Sequence, residues 1–169
     1  MVRINISALR EGEHCFDFDE PAEDFDIADN VLISPVIIKV KVDKVSTQIN
    51  LQINVTGRFS LSCDRCLKNY DDDFESSFAL ILKYDYTGEL VGKDSSDPEL
   101  NYISKDQHYY DLTNDLRDFI ILSIPMRTVP DEVNGECIEC GKKVEKLYNQ
   151  NKDTEINPVW EKLLTKKKI

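Results

Sequence analysis

Two Cys-x-x-Cys pairs, Cys63/Cys66 in "LSCDRCLKNY" and Cys137/Cys140 in "NGECIECGKK", hold four of the five cysteines of this chain. Gly135 and Gly141 flank the second pair, and glycines there let backbone amides swing toward thiolate sulfurs, as in a metal knuckle. Together the pairs supply the four soft ligands of a tetrahedral zinc site. Seventy residues separate them, so only tertiary folding can bring them together. The spacing therefore leaves two readings open, one structural Zn²⁺ held by Cys63, Cys66, Cys137 and Cys140, or free thiols. Cys15, beside His14 and Phe16, reads as a small buried hydrophobe.

Other chemistry finds less support. A redox Cys-x-x-Cys depends on a strand-then-helix setting that lowers the thiol pKa, and neither pair has it. Nucleophilic catalysis needs a base, and His14 and His108 stand in no recognisable catalytic motif. In the run Asp71, Asp72, Asp73, consecutive strand residues would point to opposite faces, which suits a solvated turn better than paired acid–base work. There is no phosphate loop, dinucleotide fingerprint or metalloprotease helix. The expectation is a protein that is not an enzyme and has no small-molecule substrate.

A zinc ion joining the pairs would bring Arg65 and Lys68 near Lys142 and Lys143. That makes a local basic patch for RNA or another partner, or a mixed-charge surface around a structural metal, since Asp64, Glu136 and Glu139 dilute it. The patch matters because the chain carries 32 acidic against 21 basic residues, a formal charge of −11. Such a balance argues against non-specific nucleic-acid binding over the whole surface, and is compatible with acidic faces that hold a basic ribosomal protein. The longest apolar stretch, "FIILSIP", is far short of a membrane span, and the N-terminus lacks a signal layout. A cytoplasmic protein without membrane partners is expected.

The elements that must position these residues are mostly strands. In "INLQINVTGRFSLSC", Ile49, Leu51, Ile53, Val55, Phe59, Leu61 and Cys63 face one way, while Asn50, Gln52, Asn54, Thr56, Arg58, Ser60 and Ser62 face the other. Arg58 joins the candidate binding residues on that polar face, and Gly57 marks a bulge or bend. "VIIKVKVDKV" before it and "FESSFALILKYDY" after it alternate too. Residues 87–107 read mainly as an irregular excursion. In "DLTNDLRDFIILSIP" the period changes to helical, with Asp111 as N-cap. "INPVWEKLLTKKK" supplies a C-terminal helix, where Trp160 is either an anchor for the tail or a stacking residue for nucleic acid. The predicted fold is α+β and mainly β, an antiparallel meander or partly closed barrel with a few helices. Its main domain spans 1–130, and a segment 131–169 carries the second Cys-x-x-Cys and the terminal helix.

"CDRCLKNYDDDFE", "YYDLTNDLRDFIILSIPM" and "NPVWEKLL", taken in order, resemble the YceD family of bacterial large-ribosomal-RNA-subunit accumulation proteins. Cys63, Arg65, Cys66 and Leu67 match that family's Cys-x-Arg-Cys-Leu element, and Pro158, Trp160 and Leu163 match its terminal Asp-Pro-x-Trp-x-x-Leu. Asn157 stands where the family often has Asp, Val159 where it often has Arg, and the Cys137/Cys140 pair belongs to some branches only. The resemblance implies a non-enzymatic role in ribosome biogenesis, supporting synthesis, processing or accumulation of 23S rRNA. The partner it implies is large-subunit rRNA or a pre-ribosomal particle, with a basic ribosomal protein or assembly factor as the alternative.

Overall fold

The alternating run becomes the long strand β4 (Gln48–Ser62), with Ile49, Leu51, Ile53, Val55, Phe59 and Leu61 buried. The computed structural model describes residues 1–27, 31–92 and 97–149. Around β4 runs a meander of β2 (Gly12–Glu20), β3 (Val36–Lys44), β4 and β5 (Asn69–Asp85). β2 and β3 pair antiparallel from Gly12↔Lys44 to Glu20↔Val36, and β3 and β4 from Ile37↔Thr56 to Lys44↔Ile49. Period-two patterning fixes this register, because a slip of one residue would send every apolar side chain to water.

A fifth strand, β6 (Leu100–Ser104), adds to the far edge parallel to β5, with Ile81↔Leu100 and Asp85↔Ser104 as its end pairs. The sheet order β2-β3-β4-β5-β6 is open, so the partly closed barrel is not realised among the described residues. β6 lies in the region read as an irregular excursion, and just beyond that region β7 (Tyr109–Asp111) pairs with β1 (Arg3–Asn5) through Ile4↔Tyr110. Lys44 tethers the strand connection beside β1, its Nζ donating to the carbonyls of Ile6 and Leu9 at 2.8 and 2.9 Å.

One face of the sheet is covered by α1 (Thr113–Leu122), which buries Leu116 and Ile120 and stacks Phe119 on Phe78 of β5 with ring centroids 3.6 Å apart. Asp111 works at the helix start one position earlier than an N-cap. Its Oδ1 accepts the Thr113 N–H at 3.0 Å while Oδ2 accepts from Arg3. A short 3-10 turn (Ala22–Phe25) buries Phe25 and meets α1. Gly57 serves close approach, since a Cβ there would lie 2.8 Å from the Phe74 ring, which stacks on Phe59 at 4.1 Å.

Cys15 does not have the predicted burial. On β2 the half-buried set is His14, Phe16, Phe18 and Glu20, and Cys15 is exposed with Glu13, Asp17 and Asp19. The predicted C-terminal helix over "INPVWEKLLTKKK", with Trp160, lies outside the described residues.

At the end of β5, Asp85 organises the turn that follows. Its carboxylate accepts the Leu90 N–H at 2.7 Å, the Thr87 hydroxyl at 2.7 Å, and the N–H groups of Thr87 and Val91. The Leu90 amide, then Thr87, hold this carboxyl well below the usual carboxylate range. A depressed folded-state pKa contributes stability that is present above the unfolded value of about 3.9 and lost as pH falls through the folded one. Asp85→Ala is therefore expected to lower the urea midpoint at pH 7, with the gap to wild type closing well below pH 4. A pH-independent gap would show that the carboxylate charge is not what matters.

Candidate metal centre

The described chain forms two compact units, Met1–Leu61 with Asp71–Met126, and Ser62–Tyr70 with the residues from Arg127 onward. The second unit thus takes in residues 62–70, from the last residue of β4 to the first two of β5, and contains all four paired cysteines. Its later part begins with a hairpin of β8 (Glu132–Val133) and β9 (Glu136–Cys137), closed by Asn134 and Gly135 at φ 53° and 75°. Asn-Gly with both residues left-handed is the favoured two-residue hairpin loop. After it comes a short helix, α2 (Val144–Asn149).

The two cysteine pairs are built alike. In the first, the Cys63 N–H donates to the Lys68 carbonyl at 2.9 Å and the Leu67 N–H to the Cys63 carbonyl at 2.8 Å. In the second, the Cys137 N–H donates to the Lys142 carbonyl at 3.0 Å and the Gly141 N–H to the Cys137 carbonyl at 2.8 Å. Leu67 and Gly141 hold the same place, both left-handed at φ 60° and 68°. Glycine adopts this conformation freely, whereas Leu67 adopts it against its steric preference and leaves its side chain exposed. Two copies of one backbone design, from segments far apart in sequence, face their sulfurs into one cluster.

Cys63, Cys66 and Cys137 have sulfurs all within 4.8 Å of one another, and Cys140 packs against the same group. The Cys66 and Cys137 sulfurs are 3.9 Å apart. A tetrahedral site with metal–sulfur bonds of ~2.3 Å has edges of about 3.8 Å, whereas a disulfide needs ~2.05 Å. All five cysteines are free. The cluster has the donor set and spacing to hold a metal ion. The Lys142 backbone N–H, turned toward Cys140, holds that thiol below its ordinary pKa. The Lys68 N–H acts likewise on Cys66, but burial and the three neighbouring thiols outweigh it and push Cys66 up to about 11.

Around the cluster the predicted binding residues part company. Arg65 is not at the surface, with a side chain 3% exposed, an ion pair to Glu132 and a 2.6 Å hydrogen bond from Nη2 to the Pro130 carbonyl. Lys68, Lys142 and Lys143 are exposed, and Lys68 Nζ donates to the Glu139 carbonyl at 3.0 Å. Arg58 belongs to the first unit, where Asp73 engages it at 2.6 Å. Sequence reasoning missed Asp64 and Thr128, which fasten the two segments of the second unit. Each donates its N–H at 2.8 Å, Asp64 to the Thr128 carbonyl and Thr128 to the Asp64 carboxylate, and the Thr128 hydroxyl reaches the Ser62 carbonyl. The Asn134-Gly135 signal was available for the hairpin. For Asp64 and Thr128 there was none.

An open sheet that hands its chain to a small unit of paired cysteine knuckles defines a β-rich protein with a candidate metal centre. The chain belongs to the family described as "Large ribosomal RNA subunit accumulation protein YceD", whose sequence profile matches residues 51–165 and so spans all four knuckle cysteines. It is 26% identical over 149 residues to the YlbN protein of Bacillus subtilis (strain 168), covering 85% of this chain and 83% of that one. No solved structure matches. Among the described residues no helix is long and apolar enough to cross a membrane.

Proposed function

We propose that this protein is a non-enzymatic, cytoplasmic ribosome-biogenesis factor that supports synthesis, processing or accumulation of 23S rRNA by binding that RNA or a pre-ribosomal particle. The observation that carries the reading is family membership over 51–165. The paired knuckles support it by offering a rigid surface. There a structural Zn²⁺ on Cys63, Cys66, Cys137 and Cys140 holds Lys68, Lys142 and Lys143 outward on short loops. Zinc fits because the donors are thiols, a softer set than Mg²⁺ or Ca²⁺ accepts, with three sulfurs within 4.8 Å of one another and Cys140 packed against them. Phosphate contacts by such lysines position a protein on RNA without reading its sequence.

A second reading rests on the charge of the first unit. Its sequence holds 23 acidic against 10 basic residues, a formal −13 of the chain's −11. Its outer sheet face carries a groove of about 670 Å³ lined by Asp19, Ile37, Arg58, Asp73, Phe74 and Glu75. Carboxylates rimming an apolar floor suit the lysine-rich segments of a basic ribosomal protein or assembly factor.

Ultraviolet crosslinking of the tagged protein in growing cells tests both, beside a variant with Lys68, Lys142 and Lys143 reversed to Glu. Recovery of discrete large-subunit rRNA segments, reduced at least tenfold in the variant, is expected if these lysines make several phosphate contacts. RNA at background, with a basic ribosomal protein co-purifying from wild type and variant alike, would replace the RNA reading with the protein-partner one.

A further inference from the structure

The two knuckles match in backbone and differ at both positions between the cysteines, where the first has Asp64 and Arg65 and the second Ile138 and Glu139. The Arg65 side chain turns inward. Its fork is spent on Glu132 and the Pro130 carbonyl, which leaves Nε buried and without a hydrogen-bond partner. Buried donors of this kind are seldom left unpaired, and an orphan marks a place where a partner is missing. The groups that face it are Glu132, Cys63 and Cys137, and both cysteines are 0% exposed.

A neutral thiol is a poor acceptor for such a donor, and a metal-bound thiolate is a good one. Four thiolates around a divalent ion leave two excess negative charges in a small, partly buried volume. Cys66 and Cys140 receive backbone N–H groups from Lys68 and Lys142. Arg65 is placed to do the same for Cys63 with a full positive charge behind it. Outer partners of this type fix ligand orientation and tune the metal, and losing one commonly costs affinity.

We infer that Arg65 is the positioning residue of the metal centre: its guanidinium offsets the excess charge of the four thiolates, and its Nε donates to Cys63 Sγ when a metal keeps that sulfur ionised. The inference rests on the metal reading above. It separates the roles of two neighbours, Arg65 serving the metal and Glu132 serving Arg65.

The test uses the full chain with Arg65→Leu, Arg65→Lys and Glu132→Gln, titrated with Zn²⁺ against a competing chelator and with Co²⁺ for its absorption spectrum. Arg65→Leu is expected to bind zinc roughly 10- to 100-fold more weakly. Its thiolate-to-cobalt charge-transfer band should move to lower energy, because sulfurs without the cation give up electrons more easily. Arg65→Lys keeps the charge and should recover most of the affinity, and Glu132→Gln should stay near wild type in band position. Wild-type affinity and an unshifted band in Arg65→Leu would overturn the inference, as would equal affinity losses in Arg65→Leu and Glu132→Gln with no spectral change. If wild type takes up neither ion, the metal reading itself falls, and a variant is not needed to show it.

Discussion

A Cys63→Ser/Cys66→Ser variant is expected to lose all bound metal and with it the folded second unit. Among the described residues, the buried cluster of that unit is Cys63 and Cys137 with Cys66, Tyr70 and Cys140 packed around them. A unit so small buries too little apolar surface to offset its chain entropy, and natural domains of this size lean on a metal or disulfides. Structural zinc contributes on the order of 10–16 kcal/mol in zinc-finger peptides, which is folding energy when no preformed site exists in the unfolded chain. The measurement is elemental zinc per chain together with limited proteolysis. Wild type should carry one zinc and resist cleavage between residues 127 and 149; the variant, or wild type stripped by chelator, should carry none and be cut there early. Resistance that survives both treatments would show that the unit stands on Arg65, Asp64 and Thr128 contacts without the metal.

Phe59→Ala should cost the first unit about 3–5 kcal/mol, the range for deleting a fully buried aromatic ring. Phe59 is 1% exposed and stacks face to face on Phe74, whose ring also occupies the space over Gly57. Removing it leaves a cavity against the Phe74 ring. Urea unfolding followed by far-ultraviolet circular dichroism reads the loss. A change below about 1 kcal/mol would mean that Phe74 and its neighbours close the gap.

What the sequence made legible follows from how local each cause is. β3, β4 and β5 could be read because a half-buried strand writes its burial into every second residue, and α1 because Leu112, Leu116, Phe119 and Ile120 recur at helical spacing. Cys15 was also legible, since it shares a register with Glu13, Asp17 and Asp19 and not with Phe16 and Phe18. The reading as a buried hydrophobe put residue type above register. β6 and β7 were hidden for a different reason. They are five and three residues long, and their partners β5 and β1 are reached through a parallel pairing and across most of the chain, so no local period announces them.

The candidate centre divides in the same way. Each Cys-x-x-Cys was readable as a knuckle from its own flanking residues, but their meeting was not, because nothing in either segment encodes the other. Arg65 is the clearest case. An arginine between two cysteines beside an acidic turn reads as surface, and only the return of the chain at Pro130 and Glu132 buries it. Depth for a long cation is set by what arrives later from elsewhere, and the stem of arginine tolerates either outcome.

The separation of the two knuckles also has a meaning in time. Cys66 and Cys137 lie 71 positions apart. At ~5–20 residues per second, a polypeptide under synthesis takes roughly 4–14 s to extend from one to the other. For that interval the nascent chain holds two of the four cysteines of the cluster. The meander can form while the first pair waits, and the sulfur cluster closes only after every strand of the sheet has been made. Assembly of the second unit thus waits on the synthesis of Cys137 and Cys140.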